Sequence, residues 1–538
     1  MMGLFSRKKE VVEPTDLAHP LLQLQNADKD RPDVRDVWRL EDAVRGVQIF
    51  GGIGSGKTSG SGRELALAYL QNGYGGIVLC GKVDEKDNWL QYAKETNRLD
   101  DVIVFEPHGP YTFNPLQYEM NRSKDEGGGH TANIVSLFLS LVKMGNRLEG
   151  GSEGLGGREP FWILALKRGK TLGIDLLRQA KLGKQLLGGQ SGSEFDLTVV
   201  NISKLFRDMP IGQGHFRKFS KLTPPSSYDQ HAALQEWADQ SYTIYALTWA
   251  SAYVGQLEKQ LDNQGDGNGN STSKLRQKSE SETRALEAVS SYFLSEFPQL
   301  AEKTRSSILE HLFAFATPFR SGILADHFAV GTSPEILPEE TFKGKIIILN
   351  WPVKKYLDIG IYAQSMCKTM WQQAVERRFI DRTTRPVFMW IDEAQYFISN
   401  EDMMFQTTAR SSRACTVLLS QNISNYYACM GGSNARAFVD SLLGNLATKI
   451  FHNNNDAVTN EWAAETIAKD YRGNLTLGDS GSTIGEEFQY QFLPKNFTLL
   501  LTGGKTNHGI VEAVVTVAGR EWSNGKNFLK TNFYQDLK

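Results

Sequence analysis

Between the strand-like run GVQIF (46–50) and the helix-like run RELALAYL (63–70) lies GGIGSGKT (51–58), eight residues of which four are glycine. Apart from proline, no residue is less suited to a helix or strand interior than glycine. Four of them between two regular elements mark a tight chain reversal that a backbone carrying Cβ atoms cannot trace. The same alternation continues downstream. GGIVLC (75–80) and IVF (103–105) read as short buried strands, and VWRL (37–40) and GVQIF read as strands around a polar turn. Strand–helix–strand alternation predicts an α/β fold with a mostly parallel central sheet.

The pattern changes from about residue 128 to 325, where apolar spacing is helical and no strong strand stands out. Two glycine-rich breaks interrupt it, GGSEGLGG (150–157) and NQGDGNGNSTS (263–273), the second read as a mobile loop. FLSEFPQLAEKTRSSILEHLFAFATPF (293–319) reads as helices packed on a core. Strand chemistry returns with KIIILNW (345–351), VFMWI (387–391), CTVLLS (415–420), TKIF (448–451), TLLL (498–501) and GIVEAVVTV (509–517). A helix follows the first of these, with Ala363, Cys367, Met370 and Ala374 on one face. The expected organisation is an N-terminal arm (1–36) and one α/β domain in two parts (37–127 and 326–538). An all-α domain (128–325) is inserted between those parts.

Gly51, Gly56, Lys57 and Thr58 fit G-x-x-x-x-G-K-[ST], placed after a strand and before a helix as that motif requires. Gly51, Gly52, Ile53, Gly54, Ser55, Gly56, Lys57, Thr58 and Ser59 form the expected phosphate cradle. Their backbone N–H groups and the helix N-terminus supply partial positive charge. Lys57 is expected to bridge the β- and γ-phosphates, and the Thr58 hydroxyl to ligate Mg²⁺. The partner motif is RPVFMWIDEAQ (385–395), a large apolar run ending in Asp392 and Glu393. An acid at the C-terminal end of a buried strand sits where open α/β sheets bind ligands. Asp392 is the expected Mg²⁺-side group, and Glu393 the residue that polarises the attacking water. A D-E pair in this role suits repeated ATP hydrolysis better than a switch GTPase or a kinase.

Rapid hydrolysis needs a cation on the transition state, often from a neighbouring subunit. TTARSSRACTVLLSQN (407–422) offers Arg410 and Arg413 on an expected helix, and Gln421 at the end of the next strand as a γ-phosphate sensor. Plain solvated helix charges are the competing reading for the two arginines.

The phosphate loop, helical insertion, W-I-D-E-A, R-S-S-R and L-S-Q-N, in that order, resemble the coupling ATPases of conjugation and type IV secretion. These are TraG/TraD-like members of the FtsK/HerA class of hexameric DNA pumps. FNPL (113–116) resembles that family's N-P-L segment, and FLPKNFTLLLTGG (492–504) its C-terminal segment ending in a glycine pair. The resemblance implies a RecA-like P-loop NTPase domain, ATP and Mg²⁺ at subunit interfaces of a ring, and translocation of DNA or a protein–DNA complex. It implies Arg410 as the finger, with Arg413 in reserve. The chain departs from the family in two respects. No window approaches the length of an apolar membrane span, which leaves two expectations: a cytoplasmic protein docking on a separate membrane-anchored or secretion-channel partner, or one with a cytosolic DNA-processing or defence role. And the stretch after the second strand, CGKVDEKDNW (80–89), matches only loosely, keeping Lys82 and acids.

Composition bears on the substrate. The formal net charge is -2, so nucleic-acid contact must be local. Local basic density exists in FWILALKRGKTLGIDLLRQAKLGKQLL (161–187), with Lys167, Arg168, Lys170, Arg178, Lys181 and Lys184 against Asp175. KLFRDMPIGQGHFRKFSKL (204–222) adds Lys204, Arg207, Arg217, Lys218 and Lys221 against Asp208. With the family resemblance these favour a DNA-binding patch over a solvated, acid-balanced face. The four cysteines form no C-x-x-C pair, fitting neither a zinc site nor a disulfide framework. The histidines His108, His130 and His452 show no ligand spacing, and the tryptophans sit in apolar runs as core residues. A protein-secretion or pilus-assembly ATPase, or a nucleotide-gated scaffold with slow hydrolysis, are the alternative functions.

Overall fold

The computed structural model describes residues 13–27, 35–122, 161–209, 241–264, 270–478 and 481–536. The chain divides into two compact units, Met1–Pro110 with Pro334–Lys538, and Tyr111–Ser333.

The first unit carries all thirteen described strands. They are β1 Pro20–Gln25, β2 Arg35–Arg39, β3 Val47–Phe50, β4 Gly75–Leu79, β5 Val102–Phe105, β6 Ile346–Leu349 and β7 Val387–Ile391. Then come β8 Ala414–Ser420, β9 Thr448–Phe451, β10 Lys469–Gly478, β11 Gly481–Tyr490, β12 Ile510–Val517 and β13 Phe528–Tyr534. Nine of them form one sheet in the order β13-β12-β9-β3-β8-β7-β4-β6-β5. From β9 to β5 every pairing is parallel, while β12 and β13 close one side antiparallel. The apolar runs explain the arrangement. VFMWI and ACTVLLS are buried at every position, as strands of a parallel sheet covered on both faces must be.

The helices Arg63–Gln71 and Glu85–Glu95 lay their apolar sides on the sheet. Trp89 stacks on Phe388 at 5.3 Å between centroids and meets Trp390 edge-on at 5.4 Å. Tyr69 stacks on Phe388 from the neighbouring helix at 5.7 Å. The tryptophans Trp89, Trp249, Trp351, Trp371 and Trp390 are all buried, which is the core role expected from their apolar surroundings. Residues 75 and 76 are glycine because β4 enters a crowded place. A Cβ on Gly76 would lie 2.2 Å from the Phe388 carbonyl oxygen, and one on Gly75 would lie 2.1 Å from that of Thr341.

The second unit contains helices and no strand among its described residues. The long ones are Phe161–Gly188, Tyr242–Gln264, Asn270–Ser291 and Glu302–Ala316. Its N-P-L segment is a helix start: Asn114 Oδ1 accepts from the Leu116 and Gln117 amides at 3.1 and 3.2 Å, and Pro115 needs no donor there.

Several expectations are corrected. TLLL (498–501) is not a strand, because the amides of Thr498 and Leu499 turn back to the Lys495 and Asn496 carbonyls. The 263–273 stretch is helical at both ends: one helix runs to Gln264 and the next starts at Asn270. Within the expected N-terminal arm, Pro20–Gln25 pairs antiparallel with β2 and Leu24 enters the core. The turn before β3 holds the short helix Leu40–Ala43. The β10–β11 hairpin and β13 have no counterpart among the strands expected from the sequence. GGSEGLGG, His130, Arg217, Lys218 and Lys221 lie outside the described residues.

Candidate functional site

The parallel strands β3, β8 and β7 are neighbours, so their C-terminal ends deliver three segments to one edge of the sheet. The glycine loop leaves β3, the Asp392–Glu393 pair directly follows β7, and Gln421 directly follows β8. In the loop, Gly56 has φ +80, and a Cβ there would meet the Val511 methyls at 2.6 and 2.8 Å, so only glycine fits. The helix after it begins with wide turns, the Gly62 amide donating to the Lys57 carbonyl at 2.9 Å. Lys57 is buried. Burial, then the nearby Lys82 charge, lowers its pKa below the ordinary lysine value, against the opposing pull of Asp392 and Glu393.

Asp392 and Glu393 are 0% and 2% exposed. Two buried carboxylates side by side need compensation, and Lys82 supplies it. Its Nζ lies 3.0 Å from Asp392 Oδ2 and 2.9 Å from Glu393 Oε1. Burial raises the pKa of Asp392 above the usual aspartate value despite that contact. Burial alone would also raise that of Glu393, but the Gln395 hydrogen bond and Lys82 outweigh it and lower the value. Glu393 also sits at φ +50, outside ordinary strand or helix geometry. Gln395 Nε2 donates to its Oε2 at 2.7 Å and Gln421 Nε2 to its Oε1 at 3.3 Å, while the Ser420 hydroxyl donates to Gln395 Oε1 at 2.9 Å. Four side chains from the ends of β4, β7 and β8 thus determine where Glu393 points.

One oxygen is left over. Asp392 Oδ1 is buried and has no hydrogen-bond partner, a costly state for a carboxylate oxygen. Such an atom fits a cation or a cation-bound water. Beyond Asp392 lies Glu85, also buried, whose Oε1 accepts from Trp89 Nε1 at 3.1 Å and Trp390 Nε1 at 3.2 Å. Burial, then the charge of Asp392, pushes its pKa up to about 8.

Lys82 and Glu85 belong to no motif that marks them as site residues. Their signal in the sequence is the loosely matching CGKVDEKDNW stretch, which follows β4 and so leaves the sheet beside β7. A third unforeseen group is His452, buried behind the loop. Its Nδ1 lies 3.2 Å from the Glu512 carbonyl and its Nε2 2.7 Å from the Ser61 hydroxyl. The carbonyl only accepts, so Nδ1 carries the proton and Nε2 accepts from Ser61. The glycine pair of the C-terminal segment belongs here as well. The Gly504 amide donates to Gln535 Oε1 at 2.7 Å, and Gln535 Nε2 donates to the Ser59 hydroxyl at 2.6 Å.

Arg410 and Arg413 are not on a helix, which ends at Thr408, but in the turn preceding β8. They stand at the opposite end of that seven-residue strand from Gln421, about 20 Å away at ~3.3 Å per residue. Neither reaches the site of its own chain. Arg413 Nη1 is occupied by the carbonyls of Thr15, Thr384 and Arg382. Arg410 is exposed.

The basic residues of the expected DNA-binding patch are largely engaged where their side chains are described. Lys167 and Lys170 lie outside the described side chains; the other four basic residues in 161–187 are paired with acids: Arg168 with Glu296, Arg178 with Glu282, Lys181 with Asp196 and Lys184 with Glu194. Arg207 pairs with Asp208, and Lys204 lies over the Tyr242 ring. The acids come from elsewhere in the unit, so a count along one helix overstates the free charge. Among the described residues no helix is long and apolar enough to cross a membrane.

Residues 386–490 match a protein-family model described as the TraM recognition site of TraD and TraG. No curated protein matches in sequence. Among solved structures, the trigonal form of the bacterial conjugative coupling protein TrwBdeltaN70, in complex with sulphate, is 12% identical, with a TM-score of 0.50 over 97% of this chain and 95% of that one. The plasmid coupling protein TrwB in complex with ADP and Mg²⁺ is 12% identical, with a TM-score of 0.48 over 97% and 95%. VirB4 of Thermoanaerobacter pseudethanolicus is 11% identical, with a TM-score of 0.44 over 97% of each chain. The trigonal coupling-protein structure carries the fold comparison: a RecA-like α/β domain with a large, mostly parallel central sheet. The matched segment holds β7 with its acid pair, β8 with Gln421 and the β10–β11 hairpin. Sequence over that segment is similar to TraD and TraG, and the fold over nearly the whole chain is that of the trigonal coupling-protein structure, so the chain is similar to the TraG/TraD group.

Proposed function

We propose that this protein is an ATP-hydrolysing motor that works as a ring, a hexamer in the simplest case, and couples hydrolysis to movement of DNA or a nucleoprotein. One observation carries the reading: the Lys57 loop and the Asp392–Glu393 pair leave the same edge of one parallel sheet, with Asp392 Oδ1 buried and unpartnered. Mg²⁺ would supply charge neutralisation at the phosphates, held by Thr58 and, through water, by Asp392. Among the described residues no group of three His, Cys, Asp or Glu side chains could hold a metal ion alone. That suits Mg²⁺, which takes one or two protein ligands and completes its shell with phosphate and water.

The chain's own residues do the rest. Gly51 to Ser59 cradle the phosphates with backbone N–H groups, and Lys57 neutralises the β- and γ-oxygens. Glu393, fixed by Gln395 and Gln421, accepts a hydrogen bond from the attacking water and aligns it. Gln421 links that acid to the end of β8, a route by which phosphate occupancy reaches the ring. Arg410, exposed and remote from its own site, suits a finger acting on a neighbouring subunit; Arg413 is held by backbone carbonyls and suits it less. The proposed location is the cytoplasm, against a membrane-anchored or secretion-channel partner.

The pairing of the basic residues favours a second reading, an ATPase acting on protein subunits, since an internally neutralised helix attracts phosphate weakly. The discriminating experiment is the ATPase rate with and without single- and double-stranded DNA, alongside mass measurement with ATP bound. Stimulation by DNA that fades as salt rises supports the DNA motor. A ring whose turnover ignores DNA selects the protein-directed ATPase.

A further inference from the structure

Lys82 is placed with more care than a surface lysine needs. The residue before the turn, Cys80, is held at both backbone atoms by Gln364: its amide donates to Gln364 Oε1 at 2.6 Å and its carbonyl accepts from Gln364 Nε2 at 3.1 Å. Gly81 then packs on the acid pair itself, where a Cβ would meet the Asp392 carbonyl oxygen and the Glu393 Cβ, both at 2.8 Å. This backbone delivers the Lys82 ammonium to both carboxylates while its side chain stays 30% exposed. The ammonium therefore has a route out to solvent, and the two acids do not.

We propose that Lys82 is the resident counter-ion of the Asp392–Glu393 pair, and that a divalent cation loading at Asp392 must contest that carboxylate with it. This rests on the assignment of Asp392 to the cation under the proposed function. The physics is charge balance. A dication arriving at Oδ1 meets an ammonium already on Oδ2, with the Lys57 charge also acting on both acids. Like charges a few ångströms apart in a partly buried site repel, so the lysine weakens cation binding until it swings aside. Lys82 is thus a positioning residue. It keeps the acids aimed and discourages cation binding before the phosphates arrive with ligands of their own.

The test uses the full chain, without nucleotide, and Mn²⁺ as the probe, its free concentration followed by electron paramagnetic resonance. Lys82→Met is expected to bind Mn²⁺ at least about tenfold more tightly than the wild type, and Lys82→Arg to behave as the wild type. Adding Asp392→Asn to Lys82→Met is expected to abolish the gain. Equal Mn²⁺ affinity in wild type and Lys82→Met overturns the proposal, as does a gain that survives Asp392→Asn. Should Lys82→Met not fold, the wild type still decides the matter. Amine-reactive labelling of Lys82, read by mass spectrometry, is expected to rise severalfold in millimolar Mn²⁺, and an unchanged rate overturns the proposal. Because no arm contains nucleotide, a chain that gains Mn²⁺ affinity here but never binds ATP refutes the motor while leaving the counter-ion role standing.

Discussion

Gln421 Nε2 donates to Glu393 Oε1 across 3.3 Å, tying the end of β8 to the acid that follows β7. Strand adjacency brings these two side chains together from positions 28 residues apart. Removing the carboxylate and removing its tether should therefore differ in degree. Glu393→Gln is expected to lower ATP turnover by at least about 100-fold, the range for loss of a positioned base. It should also retain ATP and favour the assembled ring. Gln421→Ala is expected to lower turnover less, with ATP affinity within a few-fold of wild type. Phosphate release and nucleotide binding, measured on both variants, check this; faster turnover in Glu393→Gln would contradict the role given to that acid.

Lys57→Ala removes the one buried cation of the glycine loop. It is expected to abolish nucleotide binding or turnover while leaving the fold intact, since burial already disfavours the charged form of Lys57. Binding of a fluorescent ATP analogue together with a melting curve separates lost function from lost structure.

Arg410 and Arg413 should separate cleanly. Arg410→Ala, at an exposed position, is expected to cut hydrolysis by roughly 10³-fold with Tm unchanged. Arg413→Ala removes the donor to three carbonyls and is expected to lower stability by about 1–3 kcal/mol. Thermal melts and turnover on the two variants test the pair, and a stable but inactive Arg413→Ala would exchange their roles.

His452 sets an acid limit on stability. Burial holds its pKa down at about 3, against 6.5 for a free imidazole. A depressed histidine stays neutral in the folded chain while the unfolded chain takes up a proton. Its stabilising contribution is complete above pH 6.5 and is lost as pH falls towards 3, at up to about 1.4 kcal/mol per pH unit. Denaturant unfolding at stepped pH should show this slope, and His452→Gln should flatten it.

Much of the site's frame is legible in the amino-acid sequence. TKIF is a strand with the expected bounds although it buries Thr448 and Lys449. VFMWI is a strand with the bounds that its apolar run predicts, because a strand buried on both faces tends to be apolar throughout. TLLL misleads for the same reason: an apolar run satisfies the pattern, yet Leu499 ends up 73% exposed in a turn. The β10–β11 hairpin is hidden because KDYRGNLTLG and GSTIGEEFQY carry little apolar alternation. The basic helix reads as more open than it is because two of the four acids paired with it, Glu282 and Glu296, lie over 100 residues away.

The glycine loop after β3, the acids following β7 and the α/β layering follow from residue order alone, since each depends on neighbours within one short run. Tertiary structure alone decided what compensates those acids. Lys82 meets Asp392 across 310 residues, and Trp390 reaches Glu85 across 305. Such pairs are made by the order of strands in the sheet, where β4 lies beside β7. No local preference for helix, strand or turn encodes that order; it follows from burying all the apolar faces at once.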